Sequence, residues 1–426
     1  MSIFLLILFF ILLIIGIPIA ASLGISVIFS ILIFTDIPIS LVIQSMYSSM
    51  NSFIMVAVPL FILAGIIMDE GGVANRLFSF ANSAVGWMRG GLGHVNVVVS
   101  LLFAGMAGSS IADIASTGRM TINAMTKNNY PIIYSTGLTL ITSVLASVIP
   151  PSILMVVAAA TAGVSVGDAL IGGLVPGIIM AIIFMICNHI YSKKHHIGEP
   201  IPFDFKVLMR EFMKAFPALL IPVILLGGIL SGIFTPTEAA AVAVLYSLII
   251  AIFFYKVISV KQLPNMFYRT TNMTGTILFI AVTAQSASWV FEYDGLPTRV
   301  ASSITNVSEN SFVILLVMFV FLIVVGMFMD ATAAIFILVP ILMPIVTEVG
   351  IDPLYFVIFL VLALSFGLVT PPVGVALYAA SNVTGLSIEK VSKAVLPWIF
   401  VTIFILLLFI IFPVLLTGPL DWIQPD

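Results

Sequence analysis

The sequence predicts an all-α polytopic membrane protein in which one structural unit is used twice. Composition carries the first half of that statement. Among 426 residues 62% are apolar and 8% charged, where an ordinary soluble domain has about 25% charged residues. Mean hydropathy is +1.29, and apolar runs long enough to cross a bilayer recur from Ser2 to Leu416. Spacing carries the second half. Gly105-Met106 and Gly326-Met327 are the only Gly-Met pairs, and Pro150-Pro151 and Pro371-Pro372 the only Pro-Pro pairs. Both repeat at an offset of 221, as do Pro176 and Pro397. Gly72-Val-Ala-Asn-Arg76 and Gly295-Leu-Pro-Thr-Arg299 extend the match at 223, and Gly16-Ile-Pro18 with Gly232-Ile-Phe-Thr-Pro236 at about 218.

Taken in order, spans are expected at 3–17, 19–35, 52–68, 133–162 and 169–191 in a first repeat covering 1–192. A second repeat over 215–426 has them at 216–235, 237–256, 273–291, 354–383 and 394–416. Each repeat also holds a helical hairpin that enters and leaves on one side, near 95–127 and near 310–347. Residues 74–89, 203–214 and 257–269 read as short amphipathic helices at the interface. The linker 193–214 carries five of the fifteen Lys and Arg residues, which sets it in the cytoplasm. Counting crossings outward puts fourteen of the fifteen on that side, Arg299 being the exception. Five crossings per repeat is odd, so the two copies are inverted relative to each other. Both termini, with Asp421 and Asp426, then lie outside.

Charge and ligand chemistry exclude several function classes. A net charge of −3 without a basic stripe leaves nothing for nucleic acid. Cys187 is alone, which rules out disulfides within the chain and Cys-rich metal sites. His94, His189, His195 and His196 are too scattered for a transition-metal centre, and His195-His196 reads as solvated. The N-terminus lacks the basic region of a cleavable signal, and apolar sequence continues past residue 30. No Ser/His/Asp constellation, HExxH or Walker loop offers enzyme chemistry, and nothing calls for an organic cofactor.

What remains lies at the hairpins and the Pro-Pro elements. The first hairpin turns at Gly105-Met-Ala-Gly-Ser-Ser-Ile-Ala-Asp113, where small and hydroxyl residues let the backbone turn inside the membrane. Amides and carbonyls freed there cost several kcal/mol each unless satisfied, and a bound ion or polar substrate satisfies them. The competing role for Ser109, Ser110 and Asp113 is to cap the return helix. In Ser147-Val-Ile-Pro-Pro-Ser152 and Leu368-Val-Thr-Pro-Pro-Val373, consecutive prolines release at least two preceding carbonyls in mid-span. Such oxygens suit a hard cation such as Na⁺; the alternative is a kink relieved by neighbouring helices. Asp330 falls 221 residues after Ser109. An ionisable residue at membrane depth is a functional hypothesis by default, with N-capping of the second hairpin as its rival. Thr235-Pro-Thr-Glu238 reads as a capping box, so Glu238 is structural.

These residues resemble the large membrane subunit of the TRAP (tripartite ATP-independent periplasmic) transporters. The matching motifs are Gly16-Ile-Pro-Ile-Ala20, Pro59-Leu-Phe-Ile-Leu-Ala-Gly65, Ala107-Gly-Ser-Ser110, Phe234-Thr-Pro-Thr-Glu-Ala-Ala-Ala241, Thr370-Pro-Pro-Val-Gly374 and Gly385-Leu-Ser-Ile-Glu389. Together they span essentially the whole chain. The resemblance implies a multi-pass protein of the bacterial inner membrane, of the ion transporter superfamily, working as an elevator-type Na⁺-coupled importer. Its scaffold and transport parts are interleaved in both repeats. It also implies two partners: a small four-helix membrane subunit, here a separate chain, and a periplasmic substrate-binding protein. In the family, sodium sites lie between each hairpin tip and the facing broken helix. Carried over, the first involves Ala107 (serine in many relatives), Ser109, Ala146, Ile149 and Pro151, largely through backbone carbonyls. The offset gives the second as Phe328, Asp330, Gly367, Thr370 and Pro372. Ser109, Ser110 and Asp113 are the implied substrate contacts. Asp113 resembles the acidic residue that sialic acid transporters of the family set near substrate, which favours sialic acid over a C4-dicarboxylate. The alternatives are a C4-dicarboxylate subunit of the same family and a stand-alone Na⁺/dicarboxylate carrier.

Overall fold

The computed structural model describes residues 1–50, 53–305 and 310–423, and every regular element within them is helical. Among those residues seven helices are long and apolar enough to span a bilayer, or nine if each of two bent pairs counts as one span. Ser2–Ile14 and Ile19–Phe34 form the opening pair, joined at Gly16 with φ +93°, a turn that disfavours any residue with a Cβ. Ala57–Glu70 bends by 68° into Val73–Val85. The buried residues of the latter are Val73, Leu77 and Ala81, four apart on one face, so the amphipathic helix expected at 74–89 is present.

Two other expectations fail for a shared reason. Residues 203–214 and 257–269 do not form separate interfacial helices. Phe205–Leu230 and Leu263–Tyr293 run unbroken for 26 and 31 residues, so each amphipathic stretch opens a span. Pro217 and Pro222 sit inside the first without ending it, as membrane helices tolerate. Pro264 stands in the first turn of the second, where a missing N–H leaves no bond unmade. The span expected at 394–416 is Ile388–Ile411, with Val414–Ile423 following Pro413. Helices Ile39–Met50 and Leu296–Thr305 are additions the sequence does not announce. Asp426 lies outside the described residues.

Both hairpins are present. Gly91–Ala107 returns through residues 110–127, and Ser311–Phe328 returns through Ala331–Glu348. Both Pro-Pro spans are interrupted as well. Ile132–Val148 meets Ile153–Ala162 at 46°. Pro353–Leu368 stops before the second pair, and Val375–Thr384 resumes after it. The peptide bonds Pro150–Pro151 and Pro371–Pro372 are both cis. The segments before each break form the core, since every residue of Tyr355–Leu368 and of Tyr134–Ser143 is buried. Pro353–Leu368 achieves this by being apolar on all sides. Ile132–Ser143 is hydroxyl-rich instead, and Ser135 and Thr136 donate to the carbonyls of Pro131 and Ile132 one turn back.

Candidate ion and substrate site

The first hairpin turns in three residues. Gly108 takes a left-handed conformation (φ +59°) that closes the outgoing helix, Ser109 is extended, and the return helix starts at Ser110. A Cβ on Gly108 would come within 2.9 Å of the Pro151 carbonyl oxygen, so the tip is pressed against the break. Ser110 Oγ and Ser147 Oγ, 2.7 Å apart, tie the two together. Ser152 Oγ caps the resumed helix by accepting from Met155 N and donates to the Ser147 carbonyl.

The second hairpin meets its break through backbone. A Cβ on Gly367 would sit 2.6 Å from Gly326 Cα, which permits only glycine on both sides. Gly374 N donates to the Met327 carbonyl at 2.8 Å. A Cβ on Gly374 would lie 2.8 Å from the carbonyl oxygens of both Leu368 and Thr370, so these two oxygens converge. The Thr370 hydroxyl is engaged by the Phe366 carbonyl at 2.7 Å. Asp330 Oδ1 caps the return helix by accepting from Thr332 N at 2.9 Å, and Glu238 makes its capping box with Thr235. The caps foreseen at Asp330 and at Thr235–Glu238 are therefore present, whereas Ser109, at the N-cap of the first return helix, makes no side-chain capping hydrogen bond.

The two tips come together. A cavity of about 80 Å³ is lined by Gly108, Ser109 and Ser110 from the first and by Asp330, Ala331 and Thr332 from the second. Ser147, Ile153, Leu154 and Leu368 of the broken helices, Met273 and Ile277 of the long helix Leu263–Tyr293, and Ile62 and Ile111 complete its walls, so most of the lining is apolar. Of the residues singled out in the sequence, Ser109, Ser110 and Asp330 share this cavity. Thr332, Met273 and Ile277 belong to it without any sequence signal, although Ser147 lies within the quoted Pro-Pro element. Pro151 lines a smaller gap with Gly105 and Gly108. Ala107 and Phe328 end the outgoing arms of the two hairpins, and the Phe328 side chain points outward. Ala146 and Ile149 are buried in the first broken helix, and Gly367 and Thr370 in the second, with Pro372 just beyond.

Asp113 does not line the cavity. It is fully buried behind the first tip, accepting from Ser100 Oγ at 2.9 Å and from Thr117 Oγ1. Beyond Ser100 the polar chain continues through Thr142, Asn96 and Thr139, with Thr142 Oγ1 donating to Asn96 Oδ1 and Asn96 Nδ2 to Thr139 Oγ1. A π-helical turn over Ile114–Gly118 follows Asp113 directly. Within it, Ser116 donates to Asp69, while the neighbouring Glu70 pairs with Arg269 of the long helix.

Paired hairpin tips facing paired interrupted helices, all within an apolar helical body, define a polytopic membrane permease. The chain belongs to the family described as "Tripartite ATP-independent periplasmic transporter, DctM component", which matches residues 6–415. It is 37% identical over 406 residues to the C4-dicarboxylate TRAP transporter large permease protein DctM of Pseudomonas aeruginosa, covering 94% of each chain. It is 34% identical over 398 residues to the sialic acid TRAP transporter large permease protein SiaM of Vibrio cholerae, covering 93% of each. With the 2,3-diketo-L-gulonate TRAP transporter large permease protein YiaN of Escherichia coli it shares 32% over 413 residues and 96% of each chain. Among solved structures, the Alcanivorax borkumensis YdaH transporter superposes with a TM-score of 0.58 over 85% of each chain at 14% identity, a likeness of fold. These relatives are permeases, not enzymes.

Proposed function

We propose that this chain is the permease of a Na⁺-coupled importer of an organic acid in the bacterial inner membrane. It would receive substrate from a periplasmic binding protein and act with a small four-helix membrane subunit. The single observation that supports this most is the meeting of both tips in one cavity, where the hydroxyl residues Ser109, Ser110, Ser147 and Thr332 and the carboxylate of Asp330 line an otherwise apolar space. The residues suit a hard cation. Converging carbonyls at Leu368 and Thr370, with Asp330 on the cavity that Leu368 also lines, are oxygen donors of the kind Na⁺ takes. On this reading a first ion is held by Ala107, Ser109, Ala146, Ile149 and Pro151, a second by Phe328, Asp330, Gly367, Thr370 and Pro372. Ser109 and Ser110, with the amides at the start of the return helix, bind the substrate carboxylate. Asp113 positions that helix through Ser100 and Thr117. The two repeats are inverted copies, the termini are periplasmic, and the hairpins move with the broken helices as an elevator against the scaffold.

The substrate class is an organic acid. Sialic acid is the first to test, and a C4-dicarboxylate the second, because relatives of similar identity are described with each. Uptake of both into proteoliposomes, with and without binding protein, separates these readings from a stand-alone carrier. Full uptake with K⁺ or H⁺ in place of Na⁺ would exclude the ion assignment. Asp330→Asn keeps a capping acceptor but loses the charge, so the Na⁺ concentration for half-maximal transport should rise several-fold. An unchanged Na⁺ dependence in a folded variant would leave Asp330 as a cap alone.

A further inference from the structure

Away from the hairpin tips, a cleft of about 270 Å³ opens between helices Leu174–His195 and Ile388–Ile411, with the start of Ile132–Ser143 as its back wall. Lys393, Pro397 and Val401 line it at four-residue steps, so one face of Ile388–Ile411 follows the cleft for about 12 Å. Tyr191 and Cys187, also one turn apart, line it from Leu174–His195. Packing fixes these walls. A Cβ on Gly137 would meet the Ala394 carbonyl oxygen at 2.1 Å, so Ile132–Ser143 and Ile388–Ile411 touch through backbone. The Tyr134 and Tyr191 rings stack at 3.9 Å, and the Tyr134 hydroxyl donates to Asn188 Oδ1 at 2.8 Å.

The cleft is charged at one end only. Lys393 stands at the outer end, and His195 lies against Tyr191 there with ring centroids 4.3 Å apart. Lys193 and Lys194 are in the last turn of the same helix, where the linker begins. Glu389 approaches Lys393 at 3.5 Å, but both side chains are largely exposed, and such a pair holds a cation weakly. One and two turns deeper, Pro397, Cys187 and Val401 offer apolar contact beside the buried Trp398. A cationic mouth over an apolar floor matches an anionic amphiphile, and basic pockets between membrane helices hold lipid head groups. We propose that this cleft binds one anionic phospholipid of the leaflet next to the linker, its phosphate at Lys393 and an acyl chain along Pro397, Val401 and Cys187.

Cys187 is the only cysteine, so the native chain carries its own reporter in the deep half of the cleft. Its modification rate by uncharged N-ethylmaleimide is measured on the full chain in nanodiscs of phosphatidylcholine, and again with part of that lipid replaced by phosphatidylglycerol. The anionic lipid should slow the reaction several-fold. Lys393→Gln should abolish the slowing, while Lys261→Gln, which removes the same charge at an exposed position outside the cleft, should keep it. Inorganic phosphate added to the phosphatidylcholine nanodiscs should give no protection, because it carries no chain to cover the thiol. If the native chain and both variants are slowed alike, the lipid acts through bulk surface charge and the proposal fails. It fails as well if none is slowed, or if phosphate alone protects, which would make the cleft a site for soluble anions. Neither substrate nor Na⁺ enters this readout, so its failure and that of the importer reading are told apart.

Discussion

The two hairpins share a backbone plan and exchange their chemistry. Behind the first tip stands a buried polar chain of Asn96, Ser100, Asp113, Thr117, Thr139 and Thr142. At an offset of 221 these positions are Val317, Phe321, Ala334, Leu338, Leu360 and Ala363, all apolar. At the tips the order reverses, with neutral Ser109 facing anionic Asp330. The tip-to-break tie changes too. The hydroxyl pair Ser110–Ser147 becomes Ala331 and Leu368, while Ala146 becomes Gly367 so that backbone can meet backbone. Burial explains part of this. Asn96 and Ser100 are covered by neighbouring helices, whereas Val317 and Phe321 are exposed on the outside of the bundle. In a membrane the uncovered face must be apolar and the covered one can hold hydrogen-bonded groups. One half therefore places its polarity behind the hairpin, the other at the tip that lines the shared cavity.

The sharpest way to break this comparison is to transplant the carboxylate. Ala334→Asp sets an acid at the position equivalent to Asp113, where Leu338 and Phe321 offer no donors. A buried unpartnered carboxyl is heavily penalised, so folded protein should be lost. The reverse change, Asp113→Ala, removes one acceptor from each of the Ser100 and Thr117 hydroxyls, which keep Thr142 Oγ1 and the Asp113 carbonyl oxygen, and should cost about 1–2 kcal/mol. Yield of monodisperse protein and the thermal midpoint of the purified permease report both. Equal tolerance of the two changes would mean that the polar chain contributes nothing to the first hairpin.

Next in size is the close approach in the second half. Gly367→Ala forces a Cβ against Gly326 and should cost about 2–3 kcal/mol, while Gly275→Ala, where the added Cβ meets nothing within 4 Å, should be neutral or slightly stabilising. The hydroxyl tie of the first half should weigh less. Ser110→Ala and Ser147→Ala should each lower stability by about 1 kcal/mol, and the double variant by little more than either, because both delete one bond. Additive losses would place the two hydroxyls in separate interactions.

Much of this architecture was legible in the sequence, and the failures have physical causes. The hairpins and interrupted helices could be read because Gly, Ser and Pro-Pro act locally on the backbone. Glu238 and Asp330 could be read as caps for the same reason. The two continuous long helices could not, since an amphipathic stretch looks the same whether it lies on the interface or opens a span. Asp113 shows the deeper limit. Its spacing from Thr117 puts both on one face, but which neighbour that face meets depends on Ser100, thirteen residues away on the opposite arm. Thr332, Met273 and Ile277 carry no signal as cavity residues because only tertiary packing brings their helices to the tips.

The smallest expected effect concerns the bends that precede Val73–Val85 and Leu296–Thr305, themselves a repeated pair. At the first, Arg76 donates to the Gly72 carbonyl at 2.8 Å and lies 3.7 Å over the Tyr255 ring. At the second, Arg299 donates to the Asp294 carbonyl at 2.7 Å and to its carboxylate at 2.6 Å, and the carboxylate also accepts from Ser2 N at 3.0 Å. Only the second tie can titrate in acid. Partial burial on its own would raise the Asp294 carboxyl, but the hydrogen bonds from Ser2 and Arg299 outweigh it and hold the group down at about 2. A carboxyl depressed on folding contributes stability that is fully present above its unfolded value of about 4. That contribution fades as pH falls through the folded value. The gap in thermal midpoint between the native chain and Asp294→Asn should thus be constant from pH 7 to about 5 and close between about pH 4 and 2. The gap between the native chain and Arg76→Gln should show no such closure, since neither the Gly72 carbonyl nor the Tyr255 ring changes charge there. Parallel behaviour of the two gaps would mean that the carboxylate is not what holds the second bend.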